Sequence, residues 1–133
     1  MSLGKLIFRQ ALLTVAAGNS SRAAPVAPVM ARFFLVENAV GPDWDYSRGR
    51  REQAGWDEHA AFMDALVDEG FIVLGGPTGE GENDNTMVIV EAEDEDEIRE
   101  RFGTDPWADT ILVIDRIRPW KVWLSRDPDL VQR

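Results

Sequence analysis

At 133 residues the chain holds one domain's worth of sequence, and a 44 % hydrophobic fraction with five Trp and six Phe argues for a packed core and against disorder. With no Cys there is no disulfide, no thiolate nucleophile and no Cys-based metal site, a composition that suits a reducing cytoplasm, the compartment expected here. The net charge of −10 argues against nucleic-acid and anionic-membrane partners, because phosphate repels so acidic a surface, and no apolar run approaches the about 20 residues that span a bilayer.

Residues 1–30 read unlike the rest. They carry Lys5, Arg9 and Arg22 and no acid, so the −10 of the whole chain leaves −13 for residues 31–133. The short apolar run Ala11–Ala17 imitates a secretory signal but lacks a convincing small-x-small cleavage site. The acid-free, Ser- and Arg-containing composition also fits a transit peptide, and a third reading makes Met30 the natural start. In each case Ala23–Pro28 reads as an extended flexible linker, and residues 1–30 as an extension outside the folded domain.

Arg32–Asn38 is β-branched and aromatic, the composition of a first strand. The polar loop Gly41–Gln53 follows, with Trp44, Tyr46, Arg48, Arg50 and Arg51. Two aromatics and three arginines suit recognition of an anionic or aromatic ligand. Equally, they suit covering an apolar edge and pairing with nearby carboxylates. A helix is predicted over Gly55–Glu69: Trp56, His59, Ala60, Met63, Leu66 and Val67 share one face, and Gly70 stands where a left-handed terminator belongs.

The continuously apolar Phe71–Leu74 predicts a central, covered strand, closed by a Gly75-Gly76-Pro77 turn. The glycine- and acid-rich stretch to Asn85 lacks a Walker lysine and reads as a loose hairpin loop. Thr86–Val90 is the third strand, antiparallel to the one before it. Its acidic sequel leads into a short helix, Glu95–Phe102, ended by Gly103. After the turn Thr104-Asp105-Pro106-Trp107 the last strand opens at Ile111 and continues through Arg118 towards Leu124, and residues 125–133 read as a polar tail.

This β-α-β-β-α-β order predicts an α+β, ferredoxin-like fold: a four-stranded antiparallel sheet with both helices on one face. The other face would expose a large apolar patch, so a homodimer through sheet faces is expected.

Helix-borne His59, the Gly76-Pro77 turn, Asp105-Pro106-Trp107 and Pro119-Trp120, in that order, resemble the YCII-related (YciI-like) family over about residues 31–124. The resemblance implies a dimeric α+β barrel and a site centred on a histidine and an aspartate, which correspond to His59 and Asp105. Some relatives act in dechlorination of hydroxylated aromatics.

A neutral imidazole suits proton transfer near neutral pH and needs an acceptor on its second ring nitrogen, which a carboxylate supplies. The leading expectation is a cofactor-independent acid–base enzyme of lyase or isomerase type on a small aromatic or carbonyl compound. His59 would be the acid or base and Asp105 its orienter, with Pro77, Trp107 and Arg51 contacting the small-molecule ligand. No metal is expected, since one His with scattered acids lacks a ligand pattern, and haem ligation by His59 is disfavoured likewise. A lone His on an apolar helix face is also often a packed side chain. The alternatives are therefore a non-catalytic binding or accessory module, or a purely structural dimer scaffold.

Overall fold

The computed structural model describes residues 32–83 and 85–132; the readings of residues 1–30 lie outside these. Phe33–Val40 forms β1, Trp56–Asp68 α1, Ile72–Pro77 β2, Thr86–Glu91 β3, Glu95–Phe102 α2 and Leu112–Trp120 β4. The four strands make one antiparallel sheet in the order β2-β3-β1-β4. This α+β arrangement is compatible with the ferredoxin-like fold expected from the element order.

Strand alternation sorts the side chains. Phe34 pairs with Val90 and Val36 with Val88 across β1 and β3, so these four share a face. All are buried in one cluster with Ile72, Leu66 of α1, and Ile98 and Phe102 of α2. Both helices therefore cover the same face. Each such side chain stabilises the fold by about 1.5–3 kcal/mol on burial.

The helix ends follow local chemistry. Helix α1 stops in a Schellman motif: Gly70 takes φ +83, its N–H bonds Val67 O, and Phe71 N–H bonds Leu66 O, both at 3.0 Å. Its buried residues are His59 and Leu66, with Phe62 and Met63 packed beside the core. Val67, expected on this face, is 40 % exposed instead. Helix α2 is capped by Asp94, whose carboxylate accepts from Glu97 N–H at 2.9 Å.

The second strand differs from expectation in place and length. It is an edge strand, and it runs through Gly75, Gly76 and Pro77 rather than turning there. A bulge at Val73 explains the apolar run: Ile72 faces the core, while Leu74 pairs with Ile89 on the opposite face and is 59 % exposed. Proline is tolerated because an edge strand has N–H groups to spare. Gly75 lets the strands close, since a Cβ there would lie 3.1 Å from Val88.

The opposite sheet face carries half-buried Leu35, Met87 and Ile89 beside exposed Leu74 and Trp120. Glu37 bridges Arg116 at 3.2 Å and Arg118 at 2.9 Å on this face. The hydrogen bond from Arg116 holds its carboxyl below the usual range. The tail is not wholly extended: Pro128–Leu130 makes a 3₁₀ turn, and Gln132 N–H bonds Val122 O at 2.7 Å. Among the described residues no helix is long and apolar enough to cross a membrane.

The long loop is packed into the domain. Gly41 N–H bonds Ile111 O at 2.7 Å and Asp43 N–H bonds Thr110 O at 2.8 Å. Buried Gln53 holds the loop from within, accepting from Asp45 N–H at 2.9 Å and donating to Asp45 O at 2.8 Å. Trp44 is buried in a second cluster with Trp107, Ile111 and Leu112.

Candidate active site

His59 lies in the first turns of α1, and Asp105 in the turn that leaves α2. The second helix packs beside the first, so the two side chains meet across 46 positions of sequence. His59 Nδ1 lies 2.9 Å from Asp105 Oδ1 and 2.8 Å from Oδ2. Their side chains are only 8 % and 9 % exposed. An ionised carboxylate can only accept, so Nδ1 donates in this contact, and in a neutral imidazole Nε2 is then the nitrogen that holds the lone pair.

Asp105 is itself fixed. Its Oδ1 accepts from Trp107 N–H at 2.9 Å, an Asx-type turn around Pro106. The Trp107 indole then lies flat on the imidazole, with centroids 4.0 Å apart and planes 8° from parallel. Its Nε1–H bonds Ala54 O at 2.7 Å, just before α1. One turn thus supplies both the carboxylate that orients the histidine and the ring that backs it.

This arrangement depends on Gly55. As the residue before α1 it takes φ +79, and a Cβ there would lie 3.3 Å from Trp107 Nε1. Gly55→Ala is expected to destabilise the fold by about 1–2 kcal/mol, the cost of a left-handed alanine, with Gly55→Asn costing less. Chemical denaturation of the three proteins measures it.

Two cavities open beside the imidazole. The smaller, of about 240 Å³, lies towards α2 and β4 and includes Phe102, Asp109 and Ile114 in its wall. The larger, of about 690 Å³, lies between α1 and β2 and is mostly apolar, with Trp56, Val67, Leu74 and Pro77 in its wall. His59 borders both. No buried side-chain nitrogen or oxygen among the described residues lacks a hydrogen-bond partner. Nε2 has no such partner among them, so it is reached by solvent. The result is an oriented imidazole that borders space for a small molecule.

The residues expected to contact a ligand divide. Pro77 and Arg51 stand in the wall of the larger cavity. Arg51 is also engaged: its Nε lies 2.6 Å from Glu82 Oε1, and its guanidinium is 5.3 Å from the Trp56 ring. Arg50 is buried over Trp44, and burial pulls its pKa down from the usual arginine value. Trp107, by contrast, lines neither cavity. It is 1 % exposed and lies stacked against the His59 ring.

Sequence reasoning passes over Trp56, Met63 and Asn38. Trp56 and Met63 carry the ordinary signature of a helix's apolar face. Asn38 has a clearer signal: it interrupts the apolar alternation Phe34, Val36, Val40 on the helix-covered face.

Comparison of the chain with protein families, with curated proteins and with solved structures finds no match.

Proposed function

We propose that this protein is a dimeric, cofactor-independent acid–base enzyme of the YciI-like kind, of lyase or isomerase type, acting on a small aromatic or carbonyl compound. The observation that carries this reading is the buried His59–Asp105 contact at 2.8 Å, with His59 in the walls of two cavities. Asp105 holds the proton on Nδ1 and stabilises the imidazolium formed when Nε2 takes a proton from carbon. The proton then leaves Nε2 for another carbon, giving isomerisation, or a group β to the carbanion departs with its electron pair, giving elimination. The apolar wall suits a planar, weakly polar substrate, and about 690 Å³ falls within the range of small-molecule sites.

The motifs around His59, Asp105-Pro106-Trp107 and Pro119-Trp120 support the family reading. The sheet face bearing Leu35, Leu74, Met87, Ile89 and Trp120 supports dimerisation, since a second copy laid on it would complete an α+β barrel.

The test is a screen of small aromatic and carbonyl compounds against wild type and His59→Ala. Turnover by the wild type is expected to fall about 10²–10⁴-fold in the variant, the usual contribution of a positioned acid–base group. Equal turnover in both proteins defeats the proposal. Ligands that raise the melting temperature with no product formed turn the reading to a binding module.

A further inference from the structure

We propose that Asn38 is a second catalytic residue of this site: its side-chain amide donates to the oxygen of a carbonyl substrate and holds the enolate formed when His59 Nε2 removes the neighbouring carbon's proton. This rests on the acid–base reading above and specifies its substrate class.

Four residues belong to the walls of both cavities: His59 and Met63 from α1, Asn38 and Leu112 from the sheet. The cavities therefore adjoin at these four, and only His59 and Asn38 among them are polar. Asn38 stands on β1 between Thr86 of β3 and Ile114 of β4. Thr86 borders the larger cavity and Ile114 the smaller. A bulge fixes this placement: Glu37 pairs with Arg116 but Asn38 with Ile114, leaving Asp115 as the extra residue. The break returns Ile114 to the covered face beside Asn38, and bulges of this kind often re-aim side chains at sites.

Asn38 is half-buried in an otherwise apolar row, yet its amide makes no hydrogen bond to any described residue. Since no buried side-chain nitrogen or oxygen among the described residues lacks a partner, this amide is reached by solvent and is open to a ligand that displaces water. An amide N–H₂ across an open space from a base is the arrangement that enolisation needs. The step balances. The C–H electron pair becomes the new C=C bond, the carbonyl π pair moves to oxygen, and the proton rests on Nε2. Asn38 stabilises the oxygen's new charge.

The probe is 4-nitrophenol, whose anion is a stable planar oxyanion. It is titrated into ¹⁵N-labelled wild type, His59→Ala, Asn38→Ala and Asn38→Asp. The Asn38 side-chain amide signal is identified as the pair lost in Asn38→Ala. Expected are a downfield shift of that signal on binding and a Kd raised at least tenfold in both Asn38 variants, with melting temperatures unchanged or raised. Equal Kd in wild type and Asn38→Ala, an unmoved amide signal, or no binding to wild type overturns the proposal. The acid–base reading fails separately: in deuterated buffer, α-proton exchange of acetophenone would then be as fast in His59→Ala as in wild type, whatever Asn38 does.

Discussion

Asp105→Asn is expected to cut turnover about 10³–10⁴-fold while leaving the fold in place, as happens when the aspartate of a triad becomes asparagine. The geometry dictates how. Oδ1 of Asp105 is held by Trp107 N–H at 2.9 Å, and only a carbonyl oxygen can keep that bond after the substitution. The new amide nitrogen must therefore take the place of Oδ2, 2.8 Å from His59 Nδ1. As a donor it competes with Oδ1, 2.9 Å from Nδ1, and shifts the imidazole towards the form with its proton on Nε2, where the free lone pair is needed. The ring keeps its position and loses its base. Three measurements check this: kcat on a compound turned over by wild type, the melting temperature, and the ¹⁵N shifts of the imidazole. Full turnover with an inverted tautomer would show that Nε2 is not the base.

The same pair marks the boundary of what was legible in the chain. Helix α2 occupies its predicted span, and α1 departs from its span by one residue at each end, because their signals are local: an Asp cap, a left-handed glycine, apolar residues three and four apart. The topology left a meeting of His59 with Asp105 open, because it packs both helices on one sheet face, and the structure shows the contact. Strand β2 was misplaced for a physical reason. A continuous apolar run is the signature of a strand covered on both sides, but here a bulge at Val73 distributes Phe71 and Ile72 to the core and Leu74 to the other face. Gly75-Gly76-Pro77 resembles a turn in one dimension and lies in an edge strand in three. Trp107 shows the converse limit. Nothing in a sequence tells whether an aromatic two residues after Asp105 borders a cavity or lies stacked behind the His59 ring. That depends on the Ala54 carbonyl 53 residues earlier, which captures the indole N–H.

Trp107→Ala is accordingly the substitution expected to cost most stability. The indole is 1 % exposed and packs among Trp44, Ile111 and Leu112. It lies 4.0 Å from the His59 ring centroid and 5.7 Å from that of Trp56. Truncation empties this volume and leaves Ala54 O without its donor, so about 3–5 kcal/mol is expected to be lost. That is a large share of the about 5–15 kcal/mol that holds a domain folded, and it lowers the melting temperature on the order of 15–30 °C. Trp107→Phe separates packing from positioning. It retains an aromatic ring against His59 but not the indole N–H, so the loss is about 1–3 kcal/mol. Below its melting point Trp107→Phe is expected to keep the acid–base pair and its turnover within an order of magnitude, whereas Trp107→Ala releases the ring that Asp105 alone must then hold. Thermal melts and kcat at low temperature on the same two proteins distinguish these effects. If Trp107→Ala melts with the wild type, the indole is not the support that its burial and stacking imply.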